Sequence, residues 1–292
     1  MTVVLVAIAA CVTPEDGCEL DGGPFDLPAD VREASGVAMS RDHDGVLWIH
    51  NDSDGGARIF AVDTRGALLG TITLASAQNR DWEDIAIAPC PIDGPSGDCI
   101  YIADIGDNRA ARDEGVGLWV LPEPRPRNGA TSNVAFLRIH YPDGPKDAEA
   151  IVVTEDRSLI LVSKGRESAI SVYRAADLTW PRESGSDAAP LTLQLMQRLS
   201  DEPVDLPEQI TGASLGPDGS SVALRSYSSL QFYRIGDAEL EPLLATPIAL
   251  DPFAEPQGEG VALGARGRVF LVSEAGPQGI APRLTRLRCA TP

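Results

Sequence analysis

Short apolar runs separated by turn residues dominate this chain, and none of them carries the three-to-four-residue spacing of an amphipathic helix. The first group reads Gly36–Met39, Val46–Ile49, Arg58–Val62 and Leu68–Leu74, broken by Asp-Gly, Gly-Gly and Arg-Gly pairs. The second reads Asp84–Ile87, Ile100–Ala103, Gly117–Leu121 and Val134–His140. Further on, Leu191-Thr-Leu-Gln-Leu-Met-Gln-Arg198 alternates apolar and polar as a half-buried strand does. The pattern predicts four short strands per unit, joined by turns.

One phrase opens each unit. It reads Glu33-Ala-Ser-Gly-Val-Ala, Asp81-Trp-Glu-Asp-Ile-Ala, Asp147-Ala-Glu-Ala-Ile-Val, Gln209-Ile-Thr-Gly-Ala-Ser and Gln257-Gly-Glu-Gly-Val-Ala, with steps of 48, 66, 62 and 48 residues. Four antiparallel strands in repeats of this length predict an all-β propeller of five four-stranded blades. A six-bladed ring is the alternative, because the second and third units have spare sequence. The last unit has room for three strands, ending at Arg283–Cys289, so its fourth is expected from the segment around Cys18–Leu27. That would close the ring and remove two exposed sheet edges. Phe60, Trp119, Tyr173 and Tyr233 recur at matching points of the third strands and are expected to pack between sheets, as is Trp82.

The chain has 292 residues, 24 Lys and Arg against 43 Asp and Glu, and a formal charge of −19. That balance excludes nucleic acid as a partner, since neutralising phosphates needs a basic surface. The run Met-Thr-Val-Val-Leu-Val-Ala-Ile-Ala-Ala-Cys11 is too short to span a bilayer and ends in small residues before a cysteine. Ile8-Ala-Ala-Cys11 resembles a bacterial lipobox, which makes residues 1–11 a signal-like segment, Cys11 the lipidated residue and 12–292 one propeller domain. No basic residue precedes the run, and a β-strand is its alternative reading. An exported cell-surface or periplasmic lipoprotein is expected, touching the membrane only through its lipid. Four cysteines remain, and an even number suits disulfides in an exported protein. Cys90 and Cys99 flank a Gly/Pro turn and are paired on that ground, which leaves Cys18 with Cys289 by elimination. Four cysteines allow three pairings, and free buried thiols are the alternative.

Within each blade the start of the first strand and the end of the second share one face of the ring. The strand starts bring Glu33, Asp81, Glu83, Asp147, Glu149, Gln209, Gln257 and Glu259 to that mouth. The strand ends bring Asp52, Asp54, Asp104, Asp107, Asn108, Lys164, Arg225 and Glu274. Converging carboxylates repel unless they are protonated, paired or bound to a cation, and oxygen ligands select calcium or magnesium. For each carboxylate taken singly, turn capping is the competing role. Lys164 and Arg225 would make one side of the mouth basic, suited to an anionic ligand or to balancing the acids. The three histidines have no metal-ligand spacing, and Gly-x-Ser-x-Gly, P-loop and Cys-x-x-Cys motifs are absent.

Asp81-Trp-Glu-Asp-Ile-Ala, Tyr101-Ile-Ala-Asp-Ile-Gly-Asp-Asn108, Tyr141-Pro-Asp-Gly-Pro-Lys-Asp-Ala-Glu-Ala150 and Glu255-Pro-Gln-Gly-Glu-Gly260 together resemble an uncharacterised group of bacterial exported β-propeller proteins. More distantly, the Glu-x-x-Gly-Val phrase before a Leu-Trp-Ile strand is similar to the esterase-like phytase, gluconolactonase and paraoxonase propellers. That resemblance implies calcium held over the channel by acidic side chains and hydrolysis of esters, lactones or phosphoesters. The chain departs from those enzymes in its five phrases against their six blades and in lacking an identifiable catalytic histidine. The residues expected to bind metal are Glu33, Asp81, Asp104, Asp107, Asn108 and Glu259, with Glu83, Glu149, Lys164 and Arg225 in catalysis. The second reading is a monomeric, non-catalytic surface propeller that binds a small anionic ligand or a protein through loops such as Arg125–Ser132 and Pro181–Pro190.

Overall fold

The computed structural model describes residues 17–53, 55–112, 116–181, 190–276 and 279–290. Cys11 and its apolar run, Asp54 and most of the Pro181–Pro190 loop lie outside the described residues. The described chain forms five antiparallel blades around one axis. Blade 1 holds Ala34–Met39, Val46–Asn51, Arg58–Asp63 and Leu68–Leu74, and blade 2 holds Trp82–Pro89, Asp98–Asp104, Val116–Pro122 and Ala135–His140. Blade 3 holds Ala148–Val153, Leu159–Ser163, Ser171–Ala175 and Gln194–Arg198. Blade 4 holds Ile210–Leu215, Ser221–Ser226, Ser229–Ile235 and Leu240–Pro242, with Ile248–Ala249 also on its third strand. Blade 5 combines Gly258–Gly264, Arg268–Ser273 and Arg283–Cys289 with N-terminal Cys18–Leu20 and Phe25–Asp26. The first strand of every blade lies innermost, and these five contact one another in cyclic order.

The spare sequence that left six blades open is spent on outer edges. Gly129–Thr131 adds a parallel strand to blade 1, and Leu191–Thr192 adds one to blade 2. The expected strand Leu191–Arg198 is therefore divided: Leu193 is buried and its amide bonds to the His140 carbonyl, while Gln194–Arg198 crosses to blade 3. Two short 3-10 turns, Leu206–Glu208 and Asp251–Phe253, interrupt the strands, and among the described residues no helix is long and apolar enough to cross a membrane.

Each interface between blades has its own core. In Asp98–Asp104 the pleat sends Cys99, Tyr101 and Ala103 toward blade 3 and Ile100 and Ile102 toward blade 1. Trp82 is fully buried between blades 1 and 2, while Phe60, Tyr173 and Tyr233 pack at three further interfaces. The ring is closed by the Cys18–Cys289 disulfide, between residues directly opposite in the blade 5 ladder, and Cys90–Cys99 staples the blade 2 turn. Both disulfides fit an oxidising compartment.

All five inner strands carry a register shift within the recurring phrase. The residues at those shifts, Ser35, Glu83, Glu149, Thr211 and Glu259, are buried. A bulge inserts an unpaired residue and re-aims its side chain, and here it acts once per blade. Ser35 Oγ donates to the Glu83 carbonyl at 2.6 Å and Thr211 Oγ1 to the Glu259 carbonyl at 2.8 Å, each tying one blade to the next. The next position is Gly in blades 1, 4 and 5, and a Cβ on Gly260 would sit 2.3 Å from the Ser35 carbonyl. In blade 2 it is Asp84, fully buried, whose carboxylate accepts the amides of Ile85, Ile151 and Ala213. One side chain thus fastens three inner strands, between the acidic end of the channel and a cavity of about 360 Å³ at its other end, lined by Ala38, Ile87, Val153 and Leu215.

Candidate functional site

The register brings the start of each inner strand beside the end of the second, as in the pairs Trp82 with Asp104 and Ala148 with Ser163. Two overlapping carboxylate triads form at this mouth, Asp52 with Asp81 and Glu83, and Glu83 with Asp147 and Glu149. Within each, one oxygen per residue lies within 4.8 Å of the others. Glu83 belongs to both because its bulge position puts it between blades 1 and 3.

Burial, then the charge of Asp81, pushes the Asp52 carboxyl up to about 8. Burial, then the charge of Glu149, raises Glu83 well above its ordinary range. Burial also raises Asp81, and it raises Glu149 to about 7 against the opposing pull of Lys164. Without a cation these acids must share protons.

Lys164 Nζ lies 2.5 Å from Glu149 Oε1. Burial alone would lower the Lys164 ammonium, but the Glu149 charge overrides it and the group is raised. Tyr227, which no motif in the sequence marks, stands close enough to Lys164 to feel its charge, and its hydroxyl is raised by burial and then by Glu259. Glu259 is buried, accepts from Gln257 Nε2 at 2.8 Å and is pushed up to about 8 by burial and then by Glu149. Glu33 stands at the rim, where its charge acts on Glu274.

Other expected site residues are committed to a loop network. Asp104 pairs with Arg112 at 2.9 Å and accepts from Trp119 Nε1. Asp107 accepts the amides of Ala111 and Arg112, and its own amide donates to Asp147. Asn108 holds Arg166, which pairs with Asp147 at 2.9 Å. Gly106 follows from the crowding, since a Cβ there would meet Glu83 Oε1 at 2.1 Å and Asp81 Oδ2 at 2.5 Å. The Asp-Ile-Gly-Asp-Asn motif therefore builds the wall of the acid cluster.

Arg225 is placed elsewhere. It lies opposite Gly212, one residue before the end of its strand, and the pleat turns it into the interface between blades 4 and 5. There it is fully buried, pairs with Glu255 at 2.5 Å and donates to the carbonyls of Gly260 and Val272. A Cβ on Gly258 would overlap Arg225 Nη2, which accounts for that glycine. The charge expected to face the mouth is Lys164 alone of the two. His50 is fully buried, stands edge-on to Trp82 and is lowered to about 4 by burial, so it is a neutral packing residue.

No protein-family model matches the chain, and comparison with curated proteins gives no match. Among solved structures it is similar to the PQQ-bound aldose sugar dehydrogenase of Streptomyces coelicolor, with 14% identity, 94% of this chain and 99% of that one covered, and a TM-score of 0.54. A gluconolactonase from Xanthomonas campestris matches at 12% identity over 92% of this chain and 96% of that one, TM-score 0.46. The calcium-binding protein regucalcin from Agrobacterium tumefaciens matches at 13% over 89% and 71%, TM-score 0.41. The likeness is one of fold.

Proposed function

We propose that this chain is an exported β-propeller whose channel mouth binds a divalent cation, calcium first, and hydrolyses an ester, lactone or phosphoester beside it. The observation that carries this reading is the pair of carboxylate triads sharing Glu83. The donors are all oxygen, as calcium and magnesium require, and Asp52 Oδ1 is buried with no hydrogen-bond partner. Asp147 and Glu149 are engaged by Arg166 and Lys164, whereas Asp52, Asp81 and Glu83 form no ion pair among the described residues and are the set to hold the ion. Bound there, a divalent cation supplies Lewis-acid polarisation of a carbonyl or phosphoryl oxygen.

The protein's own groups do the rest. Glu149, held at about 7, is suited to accept a proton near neutral pH. Lys164 stays charged and neutralises negative charge that develops beside it. Gly106 keeps the carboxylates uncovered at the wall. For location, we infer a cell-surface or periplasmic lipoprotein anchored through Cys11, on the two disulfides and the lipobox-like run; a Cys11→Ser variant is expected to lose fatty-acid labelling.

The test is a thermal melt of protein stripped with EDTA, with calcium and magnesium titrated back, on wild type and Glu83→Gln. A saturable rise in melting temperature, lost in the variant, together with cation-dependent turnover in an ester, lactone and phosphoester screen, is the expected result. No shift with either ion refutes the metal site. A shift without turnover favours the second reading, a non-catalytic binding propeller whose cation is structural.

A further inference from the structure

A recess beside the acid cluster carries cations that the chemistry above does not use. Arg80, Arg109 and Arg112 line a cavity of about 290 Å³ that also touches Asp81 and Asp107. Asp107 has its oxygens committed to backbone amides, and Asp81 belongs to the cation-binding set. Arg112 is anchored by Asp104 and by the Gly106 carbonyl with its side chain 9% exposed, yet its buried Nε has no acceptor among the described residues. Arg80 and Arg109 are exposed, and neither forms an ion pair among the described residues. In a chain with 43 acids against 24 Lys and Arg, this recess gathers three guanidinium groups, two of them outside any ion pair among the described residues, against the carboxylates of Asp81 and Asp107.

Guanidinium forks match the oxygens of phosphate, and the two outside any ion pair, with the open Nε of Arg112 beside them, suit the several oxygens of a phosphate better than the two of a carboxylate. We propose that this recess is a phosphate-recognition subsite, so that the substrate class is a phosphate ester rather than a neutral lactone or carboxylic ester. As a substrate assignment it rests on the hydrolase reading above; as a binding site it stands without it. The phosphate would lie against Arg80, Arg109 and Arg112 Nε, next to Asp81, which places the rest of the ester at the Asp52–Asp81–Glu83 triad.

The experiment is calorimetric titration of inorganic phosphate into the full chain in EDTA, with acetate as the carboxylate control and Arg80→Ala/Arg109→Ala as the variant. Both side chains are exposed, so the variant is expected to melt with wild type, whereas Arg112 is avoided because it anchors its loop. Saturable phosphate binding, weakened about tenfold or more by the double substitution and not matched by acetate, is the expected result. Equal binding by the variant, no saturable phosphate binding, or acetate binding as tightly as phosphate overturns the subsite, even if calcium raises the melting temperature. Phosphate binding without any calcium response leaves the subsite standing and removes the metal reading instead.

Discussion

Glu259→Gln tests whether the mouth stores the electrostatic cost that its geometry implies. The Glu259 carboxyl sits at about 8 against an ordinary value of 4.5, pushed up by burial and then by Glu149. Below about pH 4.5 it is protonated in both the folded and the unfolded chain and contributes nothing. As pH rises, the unfolded chain loses its proton first, so folded stability falls until the folded group also ionises near 8. Each tenfold change in proton affinity is worth about 1.4 kcal/mol, so the full loss above pH 8 is about 5 kcal/mol. That is a large part of a typical domain's total stability. Glutamine keeps the carbonyl oxygen that accepts from Gln257 and removes the ionisation. The variant is therefore expected to match wild type at pH 4 and to exceed it by up to about 5 kcal/mol at pH 9, or roughly 10 °C in melting temperature. Urea unfolding followed by tryptophan fluorescence in EDTA at pH 4, 6, 7.5 and 9 measures this. Parallel pH profiles for the two proteins would refute the claim that the mouth acids carry buried, unpaid charge.

Removing the ring closure with Cys18→Ser/Cys289→Ser is expected to cost about 5 kcal/mol, because that bridge spans 271 residues. Cys90→Ser/Cys99→Ser should cost only about 2.5 kcal/mol for a span of 9 residues, and equal losses in urea unfolding would contradict the seam model. Asp84→Ala orphans three amides and should destabilise the protein by about 3 kcal/mol. Faster hydrogen exchange at Ile151 and Ala213 is the direct readout, and unchanged exchange there would dismiss its role as a three-strand clasp. Arg225→Ala leaves Glu255 buried without its partner, at a cost of about 3–5 kcal/mol. Its calcium response, measured by melting, should persist, since Arg225 faces the blade interface and not the mouth.

The repeat phrase, the alternation in the strands and the cysteine positions sufficed to read five blades, the contribution of the N-terminal strand to blade 5 and both disulfide pairs. These are properties of local period and of chain connectivity, which sequence carries directly. The mouth was legible as a set of acids, because strand starts and strand ends must share a face in any antiparallel blade. Which of those acids meet was a matter of tertiary structure. Asp104, Asp107 and Asn108 read as ligands, but the fold turns Asp104 to Arg112, Asp107 to the loop amides of Ala111 and Arg112, and Asn108 to Arg166, partners that carry no spacing signal. Arg225 read as a mouth charge, and one step of the pleat sends it into an interface instead. Asp84 and Tyr227 went unread because their roles depend on strands from other blades. The register shift that aims Glu83, Glu149 and Glu259 leaves no mark in hydrophobic pattern, since a bulge is defined by the strand opposite it. Local period and chain connectivity were enough to specify the ring and the acidity of one end. Only the folded chain decided which carboxylates face one another, because that choice is made by contacts between blades far apart in the sequence.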